Sequence, residues 1–202
     1  MSTVFDTLDE LRRQAEECRE CPLSTTRNRV VFGFGDPCAN LMFVGEAPGR
    51  NEDLRGEPFV GAAGKFFDEL LRSIHLDRSD VYITNLLKCR PPGNRNPTPA
   101  EIAACANLLR RQVALVHPKI LVTLGNFSTR FVLKTTETIT KQRGIPQHKG
   151  FLTVIPVYHP AAAIYDVTKR ETLLADFSVI GELLNAERPS SDKEDGCGDL
   201  RK

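Results

Sequence analysis

Four nearly continuous apolar runs constrain the fold of this chain more than any other feature. They cover residues 41–45, 81–85, 120–125 and 153–158. Between the runs, apolar side chains recur at helical spacing, as in Phe66, Phe67, Leu70, Leu71 and Ile74. Strands without polar alternation are buried on both faces, and strands that alternate with helices are typical of parallel sheets. The sequence therefore predicts a single three-layer α/β/α domain with a central, mostly parallel four-stranded sheet.

The chain has 202 residues and 41% hydrophobic content, which is enough for one sizeable core. We expect this α/β domain to cover residues 1–186. It should open with an amphipathic helix that carries Cys18 and Cys21 at its end and stops at Pro22. The segment 30–35 is compatible with both a short strand and an extended loop. Residues 187–202 are too polar to bury and are predicted to be a disordered tail.

The charge of the chain is balanced but unevenly distributed. A formal net charge of +1 provides no overall attraction to DNA. The turn-rich segments nevertheless contain or adjoin many cations, namely Arg27, Arg29, Arg50, Arg55, Lys88, Arg90 and Arg95. Any single one is most simply a solvated surface charge. The N-terminus lacks a signal-peptide pattern, and no apolar run is long enough for a membrane span, so we expect a cytoplasmic protein.

Six cysteines in a cytoplasmic protein indicate a metal site, a redox role or ordinary burial, because disulfides are rare in that compartment. Four of them form two pairs, Cys18 with Cys21 and Cys89 with Cys105. The alternative is that Cys105 is a small buried hydrophobic residue and that Cys89 merely ends a strand. Zinc and iron–sulfur clusters both accept four thiolates, so the ligand type alone leaves the metal open.

The turn after the first apolar run, residues 45–53, contains three carboxylates around a glycine-proline sequence. Open α/β sheets bind ligands at the carboxyl ends of their strands, so this turn is a candidate site. Asn85 and His159 end two other apolar runs, and Phe59 lies in a glycine- and proline-bounded loop. The alternatives are core packing for Phe59 and a turn or helix cap for Asn85.

Several motifs occur together in a specific order. They are GEAPGRNED at 45–53, PFVG at 58–61, TN at 84–85, KCRPP at 88–92 and HPA at 159–161. With them, the chain from about residue 10 to 185 resembles the family-4 (iron–sulfur) uracil-DNA glycosylases. The resemblance implies a monofunctional, monomeric enzyme of base excision repair. Such an enzyme hydrolyses the N-glycosidic bond of deoxyuridine in DNA and leaves an abasic site.

The resemblance implies a role for each candidate residue. Phe59 would stack on uracil, and the Asn85 amide would donate to O4 and accept from N3–H, opposite to what cytosine requires. His159, with backbone N–H groups near Ala47 and Gly49, would stabilise charge on O2. Other uracil-DNA glycosylases carry Asp or Asn where this chain has Ala47. We therefore expect a carboxylate to hold the attacking water, first Glu46 and then Glu52 or Asp53, for which capping is the alternative.

The resemblance also implies a [4Fe–4S] cluster held by Cys18, Cys21, Cys89 and Cys105. It would fix the shape of a DNA-contacting loop, 88–99, from which Arg90 and Arg95 would contact phosphates. Cys38 and Cys197 have no counterpart in that pattern and are predicted to be free. A non-catalytic, metal-bearing nucleic-acid-binding module is the alternative function, and Ala47 is the best argument for it. A third alternative, a relative that stays attached to the abasic site, would need a histidine in the loop 89–98, which has none.

Overall fold

The computed structural model describes residues 7–186, so the predicted tail and Cys197 lie outside the described residues. Its sheet has the strand order β1-β3-β2-β4-β6-β5. The strands are β1 Phe34–Gly35, β2 Leu41–Gly45, β3 Tyr82–Asn85, β4 Ile120–Leu124, β5 Gln147–Lys149 and β6 Leu152–Val157. The predicted α/β class is confirmed, and β3, β2, β4 and β6 run parallel as expected.

The predicted count of four strands is wrong, because two edge strands complete a sheet of six. β1 pairs antiparallel with β3, and β5 pairs antiparallel with β6. Both are short and partly exposed, so neither has the continuous apolar run that identifies a central strand. Segment 30–35, for which the sequence left two options, contains β1 at its end and is otherwise extended loop.

Seven helices surround the sheet in the described part of the chain. They are α1 Leu8–Glu17, α2 Arg50–Arg55, α3 Ala62–Ser73, α4 Pro99–Val116, α5 Asn126–Leu133, α6 Ile139–Gln142 and α7 Val167–Ala186. The start of α4 is a capping box, in which Thr98 accepts from the Glu101 N–H and Glu101 accepts from the Thr98 N–H. No helix within residues 7–186 has the length and apolar character needed to cross a membrane.

The helices form one layer on each face of the sheet. On one face, Phe43 of β2 packs edge-on against Phe67 of α3 at 5.0 Å and stacks on Phe177 of α7 at 5.7 Å. On the other face, Met42 and Val44 of the same strand pack with residues of α4. Successive residues of β2 thus enter opposite cores, which is why its sequence is apolar throughout.

The parallel register brings the ends of several strands to one edge of the sheet. Gly45 of β2 lies beside Asn85 of β3, and β6 ends at Val157, two residues before His159. The turns that follow these strands therefore meet at a common crevice, as expected for an open α/β sheet.

Candidate active site

A cavity of about 340 Å³ lies at this carboxyl edge. Most of the residues that the sequence assigned to catalysis, base binding or DNA contact line it, namely Glu46, Ala47, Gly49, Phe59, Asn85, Arg95 and His159. Arg90 and the candidate carboxylate Asp53 do not line the cavity. Glu52, Pro91, Asn94 and Ala161 complete much of the wall. Its volume is within the range of small-molecule sites.

Gly45 allows two of these side chains to approach the same point. A Cβ atom at this position would lie 2.2 Å from Asn85 Oδ1 and 2.9 Å from Phe59 Cζ. Asn85 is only 2% exposed, yet its side-chain amide makes no hydrogen bond to the described part of the chain. No buried side-chain nitrogen or oxygen atom among the described residues lacks a partner, so the Asn85 amide is open to the cavity and available to a ligand.

The Phe59 ring lies between the core and the cavity. It is 5.1 Å from the Phe67 ring and stacks on the His159 ring at 5.5 Å with an interplanar angle of 25°. The two interpretations of this residue, core packing and an aromatic platform, are therefore compatible. Its φ of 55° lies in the left-handed region, which a bulky side chain adopts only when its surroundings enforce it.

Two side chains and one glycine hold the Phe59 loop in that conformation. Glu52 accepts hydrogen bonds from the Val60 and Gly61 N–H groups, each at 2.9 Å. From the other side, Arg78 donates to the carbonyls of Pro58 and Phe59 and pairs with Asp68. A Cβ at Gly64 would lie 1.7 Å from the Phe59 carbonyl oxygen, so α3 can pack against the loop only with glycine there.

The three carboxylates of the turn are in different situations. Glu52 is bonded to the Phe59 loop, and buried Asp53 accepts from the backbone and side-chain amides of Asn28. Both therefore anchor loops, which agrees with the alternative that assigned them structural capping. Glu46 lines the cavity with no hydrogen bond from its carboxylate to described residues. Partial burial raises the pKa of Glu46 above its ordinary value of 4.5.

His159 has a defined tautomer because its Nδ1 accepts a hydrogen bond from the Ala161 N–H at 3.1 Å. In the neutral ring the proton is then on Nε2, which can donate to a ligand. Desolvation lowers the pKa of His159 to about 4, against the raising effect of the Glu52 charge. The imidazole is consequently neutral at physiological pH.

The remaining predicted site residues, Ala47, Gly49, Arg90 and Arg95, differ in the hydrogen bonds and ion pairs that they form. The N–H groups of Ala47 and Gly49 make no hydrogen bond within residues 7–186. Arg95 pairs with both carboxylate oxygens of Glu101, at 2.9 and 2.6 Å, and this contact lowers the pKa of Glu101 to about 2. Among the described residues, the Arg90 side chain forms one hydrogen bond, from Nε to Asn94 Oδ1 at 2.6 Å.

The four paired cysteines line one small cavity between α1, α4 and the loop after β3. None of the four is part of a disulfide, and burial raises the pKa of Cys89 and brings that of Cys105 to about 11. Arg27 donates to Cys89 Sγ at 3.2 Å. In residues 7–186, no three histidine, cysteine or acidic side chains converge closely enough to hold a single metal ion.

Lys88 is buried beside these thiols. Its Nζ donates to Thr84 Oγ1 at 2.7 Å and to the Asn85 carbonyl at 2.6 Å. Desolvation lowers the pKa of Lys88 to about 7, while negative charge on Cys105 and Cys89 raises it. A buried ammonium group needs anionic partners, and here thiolates would provide them.

The prediction that Cys38 is free is wrong, because Cys38 is disulfide-bonded in the structure. The sequence argument excluded disulfides from the expected compartment, which is a rule about environment and not about geometry.

Sequence reasoning missed several residues at or near the site. Gly45 was treated only as part of a turn, although a glycine that ends a strand signals a close approach. Arg78 has no sequence signal, because it contacts a loop about twenty residues away.

Comparison with known proteins identifies the family. A family model described as the uracil DNA glycosylase superfamily matches residues 32–178. A type-4 uracil-DNA glycosylase from Archaeoglobus fulgidus is 45% identical over 92% of this chain and 98% of its own length. Type-4 uracil-DNA glycosylases from Sulfurisphaera tokodaii and Saccharolobus solfataricus are 45% and 44% identical, over 89% and 91% of this chain and 86% and 89% of their own lengths. The chain belongs to the uracil DNA glycosylase superfamily and, within it, to the type-4 uracil-DNA glycosylases.

Proposed function

We propose that this chain is a monofunctional uracil-DNA glycosylase of base excision repair. It hydrolyses the N-glycosidic bond of deoxyuridine in DNA, so that water adds to C1′, free uracil departs and an abasic site remains. The single observation that carries the proposal is the cavity in which Glu46, Phe59, Asn85 and His159 converge. The type-4 relatives support the same substrate and bond.

Base selection rests on Asn85 and Phe59. The extruded base stacks on the Phe59 ring while the Asn85 amide donates to O4 and accepts from N3–H. Cytosine presents a donor and an acceptor in the opposite order, so a fixed amide rejects it. The contact of both side chains with Gly45 supports this role, because it limits how far either can move.

Charge on the departing base is stabilised by His159. As the bond to C1′ breaks, negative charge develops on uracil O2, and the Nε2–H group of the neutral ring donates to it. The uncommitted N–H groups of Ala47 and Gly49 act on the same oxygen. The bond from the Ala161 N–H to Nδ1 supports this assignment, since it keeps the proton on Nε2.

Glu46 orients the attacking water and takes its proton. Among the carboxylates of the turn, only that of Glu46 lacks a hydrogen bond or ion pair with the described residues, whereas Glu52 and Asp53 hold loops. Its negative charge also offsets positive charge on the sugar in the transition state. This role answers the argument from Ala47 for a non-catalytic module, because the neighbouring residue provides the carboxylate.

The cofactor that we propose is a [4Fe–4S] cluster held by Cys18, Cys21, Cys89 and Cys105. The donor set fits this group: the four thiols line one cavity without converging on one point, and buried Lys88 and Arg27 offset thiolate charge. When bound, the cluster ties α1 to the loop after β3. Lys88 connects this region to the backbone of Asn85.

Arg90 and Arg95 are proposed to contact DNA phosphates beside the cavity. Arg90 has no carboxylate partner among described residues, whereas the charge of Arg95 is already paired with Glu101. We therefore expect Arg90 to make the stronger phosphate contact. A cytoplasmic location and a monomeric state complete the proposal.

The test is the release of free uracil from a uracil-containing oligonucleotide, with mass analysis of both products. We expect uracil and an intact strand with an abasic site, since no strand cleavage is proposed. Binding of the oligonucleotide without release of the base would support the non-catalytic module and overturn the enzyme assignment.

A further inference from the structure

A second surface depression lies near the cavity of about 340 Å³ at the candidate active site, which is called the uracil cavity from here on. It is a groove of about 680 Å³ between α1, the segment 24–30 and the end of α2. Five arginines line it, together with two glutamates, Glu16 and Glu57, and the arginines are Arg12, Arg19, Arg27, Arg29 and Arg55. This arginine groove concentrates positive charge in a chain whose formal net charge is only +1.

Within residues 7–186, no carboxylate forms an ion pair with an arginine of the groove. Elsewhere, Arg78, Arg95, Arg143 and Arg170 each pair with a carboxylate. The described ion pairs include none of the five groove arginines.

The groove arginines that are engaged have partners other than carboxylates. Arg12 lies over the Phe32 ring, Arg19 donates to two backbone carbonyls, and Arg27 donates to a carbonyl and to the Cys89 sulfur. The side chains of Arg29 and Arg55 make no hydrogen bond or ion pair within residues 7–186. Unpaired guanidinium groups on one surface are suited to bind phosphates.

The groove is rigidly connected to the uracil cavity. Buried Asp53 on α2 accepts from both amide groups of Asn28, which fixes the groove wall to that helix. Gly49 and Glu52, at the start of α2, line the cavity, whereas Arg55, at its end, lines the groove. Six helical residues span about 9 Å. Because a DNA strand carries one phosphate per 3.4 Å of duplex axis, about three nucleotides separate the two sites.

We infer that the arginine groove binds the DNA backbone on one flank of the extruded nucleotide, about three nucleotides from it. The inference rests on the proposed function, because the uracil cavity defines where the DNA lies. An acidic segment of a partner protein is the other polyanion that would fit, but the fixed distance from the groove to the cavity favours the same DNA strand. Since the groove lies on one side of the cavity, it contacts one flank only.

The experiment compares wild-type protein with the double variant Arg29→Ala/Arg55→Ala. Abasic-site duplexes are made short on both sides, extended 5′ only, or extended 3′ only, and their affinities are measured between 50 and 200 mM salt. We expect wild type to gain affinity from extension on one flank and the variant to lose that gain. On the extended duplex, the slope of log K against log salt should fall by roughly two units, about one per lost phosphate contact.

Arg72→Ala is the matched control, because Arg72 is an exposed arginine at the far end of α3 and lines neither the groove nor the uracil cavity. It should keep the affinity gain and the salt slope of wild type. The groove is not a DNA site if the double variant gains the same affinity as wild type when the duplex is extended. It is also not a DNA site if the variant loses affinity equally for both extensions. The first of these results would leave an acidic protein segment as the occupant.

A single-turnover assay on the shortest uracil duplex separates the two proposals. The double variant should release uracil from it at the wild-type rate, since that substrate does not reach the groove. If wild type itself releases no uracil, the proposed function fails, while the binding measurements still decide the role of the groove.

Discussion

At the scale of single residues, the site depends on side chains whose polar groups the protein does not use. The Asn85 amide and the Glu46 carboxylate face the cavity without hydrogen bonds to described residues, although both are at least partly buried. Such groups are costly for stability unless a ligand or water pairs with them. Both line the same cavity, so a ligand bound there can pair with both.

Asn85→Asp should weaken the choice between uracil and cytosine. A carboxylate accepts but does not donate, so it loses the bond to uracil O4 and can accept from the cytosine amino group. We expect the ratio of single-turnover rates for uracil and cytosine duplexes to fall. Asn94→Asp, which changes a second amide on the cavity wall, is the control and should leave the ratio unchanged. An unaltered ratio in Asn85→Asp would contradict base reading by this residue.

The pH dependence of the single-turnover rate should come from Glu46 and not from His159. Glu46 acts as a base only when ionised, so the rate should fall as the pH drops through its pKa, which lies above 4.5. His159 stays neutral until the pH approaches about 4. Glu46→Gln should lower the rate and remove the acidic limb. A titration near pH 6.5 that disappears in His159→Gln would count against these assignments.

At the scale of elements, side chains bind both the N–H groups and the carbonyl groups of the loop between α2 and α3. Glu52 binds the N–H groups after Phe59, and Arg78 binds the carbonyls at Pro58 and Phe59. These contacts stabilise a backbone conformation that phenylalanine rarely adopts. Arg78 is thus a positioning residue that acts on the base platform without lining the cavity.

Arg78→Ala should slow uracil release from outside the cavity. Loss of the two carbonyl contacts frees the Phe59 ring, and a displacement of about 1 Å can reduce the rate by roughly 100-fold. We expect a fall in kcat/KM with little change in melting temperature. Arg78→Lys should not rescue, because one ammonium cannot reproduce the forked contacts. Wild-type kcat/KM in Arg78→Ala would contradict the assignment. So would a fall in kcat/KM that is accompanied by a large fall in melting temperature.

The small cavity lined by Cys18, Cys21, Cys89 and Cys105 lies between elements that are distant in sequence. Visible absorption tests whether it holds the proposed cluster. Purified protein should be brown with broad visible absorption, and Cys89→Ala or Cys105→Ala should remove the colour. Cys38→Ala should keep it, since Cys38 lies outside the cavity. A colourless wild type with one equivalent of zinc after anaerobic purification would contradict the cluster.

At the scale of the whole molecule, the sequence predicted correctly those parts of the fold and the site that one local pattern determines. The central strands are apolar throughout because both faces are covered. Asn85 ends β3 and His159 follows β6, and both strands end at the same edge of the sheet. The edge strands lack that pattern. For Phe34–Gly35 the sequence left both a strand and a loop open, and Gln147–Lys149 was missed. The pairing of Arg95 with Glu101 was also missed, because it joins the loop after β3 to the first turn of α4.

Contacts between distant segments account for most of what the sequence did not predict. Glu52 and Asp53 are adjacent acids in one turn, but their partners lie 8 or 9 and 25 residues away. Only the fold decides that both anchor loops while Glu46 faces the cavity. The arginine groove is likewise assembled from three segments whose separate sequences contain only ordinary surface charges.

The most direct test of catalysis in this cavity compares two measurements on His159→Ala. One is the single-turnover rate of uracil release, and the other is the affinity for abasic-site DNA. If His159 donates to the leaving base, the rate should fall by roughly 10²–10³-fold while the affinity stays near that of wild type. Equal losses in rate and affinity would mean that His159 supports the fold or the binding surface, and would contradict the proposed mechanism.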